Sequence, residues 1–433
     1  MIASLSGIRG IPNEDLLLGD VTRFAGNFAA TCGGSDILVA RDTRRTGPTV
    51  SKAVIAGILS RGARVLDCGV VSTPALFRES RVSGRPAIMV TASHNEPEFN
   101  GLKFIESGQG IGVETLQAIL SPKKNAVSEF SGQAPKKIRR VSYVDDLVSR
   151  FGEGAFEGMK VALDLGGGAA AAHAVTLMTR IGCHVVSING TPGVFSRKVD
   201  PVAAHLALLT AVVKKGQCDI GLAFDCDGDR LVIVDSSGKK RSGDFMLTLA
   251  MSEALAGVKR PNLVVSMDTT QAIDDVARKH NGKVFRSKVG EANVVSMMQK
   301  VGARFGGEGS SGGLIDGDFN FCRDSMLAAL FILRSLKSKG SRAYSSVPVY
   351  YQNRVALQLS RSRTPGALKK IGEKYPDCDR TDGLKIRLSQ RSWVLLRPSG
   401  TEDVVRVSAE APTKAEADRI SAAFAKKLKG LSK

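Results

Sequence analysis

The chain has 433 residues, of which 43% are hydrophobic and only 5% aromatic, so aliphatic side chains must fill several separate cores. Its 61 lysines and arginines against 42 aspartates and glutamates give a formal net charge of +19, which favours phosphorylated small molecules or polyanions as partners. No stretch approaches the roughly 18 consecutive apolar residues of a membrane-spanning helix. The N-terminal sequence lacks the pattern of a secretory signal, and the 7 cysteines are scattered without a C-x-x-C pair. We therefore expect a reduced, cytoplasmic protein without a membrane partner.

Short apolar runs alternate with helical patterns in three successive units. The first unit has predicted strands at 36–40, 64–69 and 87–93 and a helix at 49–62. The second has predicted strands at 160–165, 183–189, 219–225 and 231–236 and a helix around 170–180. The third has predicted strands at 262–268, 283–289 and 303–309 and helices at 271–280, 292–300 and 323–338. This order predicts α/β units with buried parallel strands.

From about residue 345 the pattern changes. The runs VALQL, LKIRLSQ and WVLLRP alternate in the manner of strands, and a basic helix is predicted over 414–430. This part is typical of a separate α+β domain.

The strongest chemical signal is the acidic run DCDGDR at 225–230, directly after a predicted buried strand. Asp225, Asp227 and Asp229 alternate along the chain, and Gly228 lets the backbone fold around a point. Three carboxylates that lie so close repel one another unless a cation lies between them. Oxygen ligands of this kind favour Mg²⁺. The alternative is an acidic hairpin turn that faces water.

A polar loop, TASHNEPEFNGLKF at 91–104, follows another predicted strand. Reactive groups in open α/β sheets lie just beyond the carboxyl ends of the strands, which makes Ser93 a candidate. A nucleophile pair of Ser93 and His94 is disfavoured, since neighbours on a strand point to opposite faces. An ordinary polar loop is the alternative.

Two further loops combine glycine with polar side chains. FGGEGSSGG at 305–313 contains a G-x-S-x-G pattern, but no helix follows, so it is not the nucleophile elbow of a hydrolase. A loop that binds sugar hydroxyls remains open. RPSGTED at 397–403 offers a guanidinium, hydroxyls and an approachable backbone, which suit a phosphate group, although a plain turn is the alternative. The run LDLGGGAAA at 163–171 lacks the acidic residue that a dinucleotide-binding turn needs about 20 positions later.

These motifs, taken in order, resemble those of the α-D-phosphohexomutases, the family of phosphoglucomutases, phosphomannomutases and phosphoglucosamine mutases. The matching segments are SGIRG (6–10), TASHN to NGLK (91–103), DCDGDR (225–230), GEGSSGG (307–313) and RPSGTE (397–402). The resemblance implies an α/β fold with three similar mixed α/β domains plus a C-terminal α+β domain, TATA-binding-protein-like, around a central cleft. The implied domains are a phosphoserine (catalytic) domain at 1–140, a metal-binding domain at 141–243, a sugar-binding domain at 244–343 and a phosphate-binding cap at 344–433.

The resemblance also implies a reaction and its residues. Members transfer a phosphoryl group from phosphoserine to a sugar monophosphate and regain one from the bisphosphate intermediate, which interconverts hexose (or hexosamine) 6-phosphate and 1-phosphate. The implied catalytic residues are Ser93 as the phosphoserine, Lys103 as general acid/base, His94, Arg9 and Arg230. The implied Mg²⁺ ligands are the phosphoryl group of Ser93 and the side chains of Asp225, Asp227 and Asp229. The implied substrate-binding residues are Glu308, Ser310, Arg397, Ser399, Gly400, Thr401 and Arg406.

The sequence departs from the family pattern at a few positions. Gly312 stands where many bacterial members have a histidine in the sugar loop, and Lys288 is a candidate substitute. The Gly-Gly ending of this loop resembles the archaeal-type members. Cys226 replaces a common glycine and Asp403 a common proline, and neither change removes an implied ligand.

The substrate is less defined than the reaction class. Glucose, mannose and glucosamine differ at C2, so a loop that binds the 3- and 4-hydroxyls does not separate them, and the loop ending favours glucosamine or mannose. Homo-oligomers are left open.

One alternative function is that of a haloacid-dehalogenase-type phosphatase with Asp225 as nucleophile and Asp227 as acid/base, although Asp229 stands where that family has Thr or Val. The other is a basic nucleic-acid-binding protein, which the charge alone suggests.

Overall fold

The computed structural model describes residues 1–121, 133–138, 140–399 and 403–431. Its internal contacts divide the chain into two compact structural units, which differ from the three α/β units predicted from the sequence. The first unit comprises Met1–Ala254 and Ser311–Tyr344, and the second comprises Leu255–Ser310 and Ser345–Lys433. In the described part of the chain, none of the helices combines the length and the apolar character needed to cross a membrane.

The N-terminal sheet belongs to the first unit. Its strands are β1 (Ile2–Ser4), β2 (Gly7–Gly10), β3 (Ile37–Arg41), β4 (Val65–Val70), β5 (Ala87–Val90), β6 (Asn100–Glu106), β7 (Gln109–Gly110) and β8 (Lys136–Lys137). Its helices are α1 (Leu18–Thr31), α2 (Gly47–Leu59), α3 (Thr73–Ser83) and α4 (Val113–Leu120). The strand order is β1-β2-β6-β5-β3-β4-β8, with β7 beside β6. β3 runs parallel to β4 and β5, whereas β6 returns antiparallel beside β5. The loop of residues 91–99 therefore leaves the end of β5 and re-enters the sheet at β6.

Helices α1 and α2 pack closely because glycines meet at their contact. A Cβ atom on Gly57 would lie 2.3 Å from the carbonyl oxygen of Thr22, and one on Gly26 would lie 3.1 Å from that of Gly57. Aliphatic and phenylalanine side chains from these helices and the sheet form the buried core of this domain.

The second sheet also belongs to the first unit. Its elements are α5 (Tyr143–Phe151), β9 (Lys160–Asp164), a 3₁₀ helix (Ala169–Ala172), α6 (Ala174–Arg180), β10 (His184–Ile188), α7 (Ala207–Lys215), β11 (Ile220–Phe224) and β12 (Leu231–Asp235). The strand order is β10-β9-β11-β12, in which β11 and β12 form an antiparallel hairpin. Both hairpin strands are fully buried, and the acidic run of residues 225–230 is the loop between them.

The third segment contributes to both units. Its elements are α8 (Gly243–Ala254), β13 (Asn262–Ser266), α9 (Ala272–Lys279), β14 (Lys283–Ser287), α10 (Glu291–Val301), β15 (Phe305–Glu308), β16 (Gly313–Asp316), α11 (Ser325–Lys339) and α12 (Arg342–Ser345). Within the second unit, β13 lies between β14 and β15 and runs parallel to both. Helix α11 begins at an N-cap, Asp324, whose carboxylate accepts the N–H of Leu327 at 3.0 Å.

The C-terminal segment is an antiparallel sheet with helices. Its elements are β17 (Tyr351–Gln358), α13 (Thr364–Glu373), β18 (Leu384–Arg387), β19 (Trp393–Pro398), β20 (Val404–Ala411) and α14 (Lys414–Leu431). The strand order is β17-β20-β19-β18. Apolar side chains of α13 and α14 pack with those of the sheet in one core. The predicted fold class, α/β domains followed by an α+β domain, is confirmed.

Candidate active site

Ser93 lies in the turn after β5, three positions beyond the last strand residue, Val90. It is fully buried, and its φ of 53° places it in the left-handed region, which costs a non-glycine residue about 1–3 kcal/mol. Its N–H donates to the hydroxyl of Thr91 at 2.8 Å. The predicted strand at 87–93 is therefore shorter than expected, and strand alternation does not govern the directions of Ser93 and His94.

The β11–β12 hairpin brings three carboxylates together. Asp225, Asp227 and Asp229 are all buried, and their potential ligand atoms lie within 4.8 Å of one another. Gly228 has a φ of 70°, which the turn between the second and third carboxylates requires. The alternative of an acidic turn facing water is thus wrong.

The hairpin backbone and Ser93 bind Asp225. Its Oδ1 atom accepts the backbone N–H groups of Asp229 and Arg230 at 3.1 and 3.2 Å. Its Oδ2 atom lies 3.4 Å from Ser93 Oγ. The candidate phosphoserine and the first carboxylate therefore face each other.

The other two carboxylates each use one oxygen for protein donors. Asp227 Oδ2 accepts from the hydroxyl of Thr73 at 2.6 Å and from Lys103 Nζ at 2.7 Å. Asp229 Oδ2 accepts from Lys103 Nζ at 3.0 Å and from Arg323 Nη2 at 2.8 Å. The Oδ1 atoms of Asp227 and Asp229 have no hydrogen-bond partner among the residues that the structure describes. Buried carboxylate oxygens without donors fit a hard cation, so the residues present suit a divalent metal ion.

The electrostatics of the cluster also call for a cation. Burial, and then the charges of Asp229 and Asp227, raise the pKa of Asp225 well above its ordinary value. Burial opposes ionisation of Asp229 too, but Arg323, Lys103 and Arg230 outweigh it and hold the pKa of that carboxyl well below its usual range. The repulsion is thus concentrated on Asp225, where a bound metal ion would relieve it.

Two arginines flank the loop of Ser93 and lie close to His94 and Asn95 within it. Arg230 donates through Nη2 to His94 Nδ1 at 2.8 Å and through Nη1 to Asp200 Oδ2 at 3.1 Å. Burial, together with the charges of Arg230 and Arg9, lowers the pKa of His94 to about 2, so its imidazole is neutral. Arg9 Nη1 donates to Asn95 Oδ1 at 3.0 Å, and burial lowers the pKa of Arg9. Positive charge therefore faces the site from two sides.

The candidate residues of the first unit thus meet in one place, together with arginines that sequence analysis missed. Arg323 joins Asp229 to Ser311, whose Oγ accepts from its Nη1 at 3.2 Å. Its side chain crosses Gly313, where a Cβ atom would lie 2.2 Å from Arg323 Cδ. Arg44 binds four carbonyl oxygens of the Ser93 loop. No local pattern in the sequence marks either arginine.

The glycine at 312, where many family members have histidine, has a structural reason. Gly312 has a φ of 67°, and a Cβ atom there would lie 2.4 Å from the carbonyl oxygen of Leu231. The same two residues are bonded, since Leu231 N–H donates to the carbonyl of Gly312 at 3.0 Å. A histidine at this position would have to displace the first residue of β12.

The glycine run at 163–171 packs against the acidic hairpin. A Cβ atom on Gly168 would lie 2.7 Å from the carbonyl oxygen of Cys226 and 2.8 Å from that of Asp225. Ala169 N–H donates to the same Cys226 carbonyl at 2.7 Å. These glycines therefore allow two backbones to approach.

In the second unit, Glu308 and Lys288 lie on neighbouring segments. Glu308 is buried, and its Oε1 accepts the N–H of Gly290 at 2.7 Å. Lys288 is exposed, and the next residue, Val289, donates its N–H to Asp382 Oδ2 at 2.9 Å. Ser310 is half-buried in the loop after β15. The structure thus joins the KVGE turn to the candidate sugar loop.

The predicted phosphate site lies at the end of the β19–β20 pair. Arg397 and Arg406 stand directly opposite each other in the antiparallel register, and Ser399 N–H donates to the Val404 carbonyl at 2.8 Å. Opposed residues on neighbouring strands share a face, so the two guanidinium groups lie on one face of the sheet, where Arg397 Nη1 also lies 4.0 Å from Asp382 Oδ2. Gly400 and Thr401, which the sequence also assigned to this site, lie outside the described residues.

Models of all four phosphoglucomutase/phosphomannomutase domains match the chain. α/β/α domain I matches residues 2–128, domain II residues 141–238, domain III residues 242–351 and the C-terminal domain residues 355–427. The chain belongs to the phosphoglucomutase/phosphomannomutase family. The predicted resemblance is thereby confirmed.

Relatives of this protein align with it over almost the whole length of its chain. A protein of Methanopyrus kandleri named probable phosphoglucosamine mutase is 32% identical over 97% of this chain and 96% of its own. A phosphoglucosamine mutase of Clostridium novyi is 32% identical over 98% and 97%. A phosphoglucomutase/phosphomannomutase of Thermococcus kodakarensis is 30% identical over 95% and 94%.

Solved structures show the same fold. A phosphoglucomutase/phosphomannomutase family protein of Burkholderia thailandensis has a TM-score of 0.84 at 26% identity, covering 99% of this chain and 98% of its own. An N-acetylphosphoglucosamine mutase of Aspergillus fumigatus, in complex with GlcNAc-6P and magnesium, has a TM-score of 0.64 at 15% identity, covering 100% and 96%.

Proposed function

We propose that this protein is a phosphohexomutase that interconverts the 6-phosphate and the 1-phosphate of a hexose or hexosamine, and that a glucosamine phosphate is its first candidate substrate. One observation carries the proposal: Ser93 Oγ faces a buried cluster of three carboxylates at 3.4 Å from Asp225. The relatives named phosphoglucosamine mutase support the choice of sugar.

Mg²⁺ is the proposed cofactor, held by Asp225, Asp227 and Asp229 and by the phosphoryl group of Ser93. The support is an all-oxygen donor set in which two buried Oδ1 atoms lack a donor among the described residues. When bound, the ion would neutralise charge on the phosphoryl group during its transfer.

The remaining roles follow from the chain's own charges. The phosphoryl group moves from Ser93 Oγ to a sugar hydroxyl, which loses a proton, while the serine oxygen gains one. Lys103 is the proposed general acid/base for these protons, because its ammonium group is buried beside the cluster. Arg9 and Arg230 supply positive charge, and neutral His94 accepts a hydrogen bond from Arg230 and so directs its guanidinium.

The second unit contributes the proposed substrate contacts. Glu308 and Ser310 would bind sugar hydroxyls, and Lys288 would take the place of the missing histidine. The opposed Arg397 and Arg406 would hold the phosphate that does not react, together with Ser399, Gly400 and Thr401. The domain roles and the boundaries at 140, 243 and 343 belong to this proposal.

Intact mass spectrometry tests the proposal. After incubation with a hexose 1,6-bisphosphate, the protein should gain about 80 Da, the mass of one phosphoryl group. Ser93→Ala should lose both this species and turnover of glucosamine 6-phosphate. Ser107→Ala, at an exposed turn, is the control and should behave as the unchanged protein. Turnover retained in Ser93→Ala, with loss in Asp225→Asn and release of free phosphate, would favour the phosphatase alternative instead.

A further inference from the structure

A fully buried arginine, Arg44, holds the backbone of the loop that carries Ser93. A guanidinium has five N–H donors in a fixed plane, and here each donor has an acceptor. The five acceptors are Asp42 Oδ2 at 3.1 Å and the carbonyl oxygens of Ser93 at 2.7 Å, Asn95 at 2.6 Å, Glu96 at 2.5 Å and Phe99 at 3.0 Å. Arg44 therefore has no donor left for a phosphoryl group or a sugar.

Asp42, which pairs with Arg44, also helps to hold the backbone N–H of Ser93 through Thr91. Asp42 Oδ2 accepts the hydroxyl of Thr91 at 2.6 Å, and Thr91 Oγ1 in turn accepts the N–H of Ser93 at 2.8 Å. The N–H and the C=O of Ser93 are thus both bonded into one buried network, the first through Thr91 and the second directly to Arg44. This network maintains the left-handed backbone of Ser93.

Four carbonyl oxygens of this partly exposed loop converge on the buried guanidinium of Arg44, and their mutual repulsion is relieved because each accepts a hydrogen bond from that cation. The loop turns around Arg44 and places Ser93 Oγ opposite Asp225. Asn95 extends the effect, because its carbonyl binds Arg44 while its side chain accepts from Arg9. The position of Arg9 therefore depends on the same loop geometry.

We propose that Arg44 is a positioning residue for phosphoryl transfer, which sets the direction of Ser93 Oγ by holding the carbonyl oxygens of Ser93, Asn95, Glu96 and Phe99. This inference rests on the proposed function. It concerns how the serine is presented, and not whether a phosphoserine forms.

Lysine cannot replace Arg44 in this role. An ammonium group has three donors that leave one point, so at least two of the five acceptors would lose their partner. A reacting oxygen that is displaced by about 1 Å costs about 100-fold in rate. We expect Arg44→Lys to lower kcat by about 100-fold and to leave KM for the sugar phosphate within about twofold, because the proposed sugar and phosphate contacts lie on other segments.

The experiment compares Arg44→Lys with Arg78→Lys. Arg78 is the matched control: it is partly buried, pairs with Asp146 at 2.7 Å and donates to the Phe319 carbonyl at 3.0 Å, but it does not contact the Ser93 loop. For each protein, kcat, KM, circular dichroism and the rate of the roughly 80 Da gain from a hexose bisphosphate are measured. Slow phosphorylation and low kcat in Arg44→Lys alone support the inference. Equal phosphorylation rates and kcat values within threefold of the unchanged protein would overturn it.

Failure of the proposed function has a different signature, since the unchanged protein would then show no gain in mass. If Arg44→Lys does not fold, a second variant, Asp42→Asn/Arg44→Gln, replaces it in the experiment. This variant removes the buried cation together with its carboxylate partner, so it leaves no uncompensated buried charge. We expect the same loss of kcat at constant KM.

In the unchanged protein, the guanidinium N–H signals of Arg44 should resist exchange with solvent in arginine-labelled NMR spectra. Rapid exchange of these signals would contradict the proposed hydrogen bonds between Arg44 and the loop, and this test needs no variant.

Discussion

Asp225→Asn should stabilise the protein without metal, and Mg²⁺ should remove most or all of this advantage over the unchanged chain. The three carboxylates of the hairpin are buried with their ligand atoms within 4.8 Å of one another. Asparagine has nearly the same shape, and its oxygen can keep the two backbone N–H groups that Asp225 Oδ1 accepts. The substitution therefore removes charge and little else.

The magnitude follows from Coulomb's law. At an effective dielectric constant of about 20, two unit charges about 5 Å apart repel by about 3 kcal/mol. Asp225 faces two such charges, but Arg230 lies 3.8 Å from its Oδ2 and offsets part of the repulsion. We expect a net gain of about 1–3 kcal/mol without metal, which corresponds to a rise of a few degrees in melting temperature. In the unchanged protein, Mg²⁺ at about 100 times its Kd should add about 2.7 kcal/mol, and the variant should lose this gain.

Thermal melting followed by circular dichroism, with EDTA and then with Mg²⁺, measures both effects. The control is Asp235→Asn on the same hairpin, whose carboxylate accepts from Ser237 and Arg241. It should lower the melting temperature under both conditions, because its charge is paired. The reasoning is refuted if Asp225→Asn melts lower than the unchanged protein in EDTA, or if Mg²⁺ still raises its melting temperature as much.

Three further predictions concern other parts of the chain. Gly312→His should lower the melting temperature and kcat, because a Cβ atom at this left-handed position would lie 2.4 Å from a backbone oxygen, whereas Gly110→Ala, with open space around it, should change neither. Arg397→Ala and Arg406→Ala should each raise KM for the sugar phosphate by about tenfold while circular dichroism stays unchanged, and an unchanged KM would argue against a phosphate site at the β19–β20 pair. Burial lowers the pKa of His173 to about 4, so its neutral form is favoured in the fold. Its contribution to stability should be complete above about pH 6.5 and decline as the pH falls towards 4, and His173→Phe should flatten this decline in urea unfolding curves.

The strands and helices that were predicted, and the carboxylate cluster, occur in the structure because they are local patterns, whereas α1 (Leu18–Thr31) and α3 (Thr73–Ser83) were not predicted. The long apolar helix expected at 323–338 is α11 (Ser325–Lys339), and the acidic run does follow a buried strand, β11. The strand expected at 87–93 ends at Val90 instead, because Thr91 and Ser93 bond to Asp42 and Arg44 from another part of the chain. No periodicity within residues 87–93 could reveal those partners.

Partners that are distant in the sequence also explain why the roles of two arginines were not predicted. Arg44 and Arg323 lie in polar segments with other charged residues, and each has an acceptor that is distant in the sequence: Ser93 is 49 positions from Arg44, and Asp229 is 94 positions from Arg323. The reason for two glycines is likewise visible only in the fold, which brings Gly168 close to Cys226 and Gly312 close to Leu231 of the acidic hairpin.

The way in which the carboxylates share their oxygens has a consequence for ion selectivity. Asp225, Asp227 and Asp229 each have one oxygen that accepts hydrogen bonds from backbone N–H groups or from side chains outside the cluster, which disfavours chelation of an ion through both oxygens of any one carboxylate. Ca²⁺ prefers six to eight oxygens and commonly takes bidentate carboxylates, whereas Mg²⁺ accepts a few single oxygens in a small octahedron. If each of the three carboxylates offers one oxygen to a metal ion, the site would discriminate by coordination number, and Ca²⁺ should be a poor substitute that competes for the site without supporting turnover.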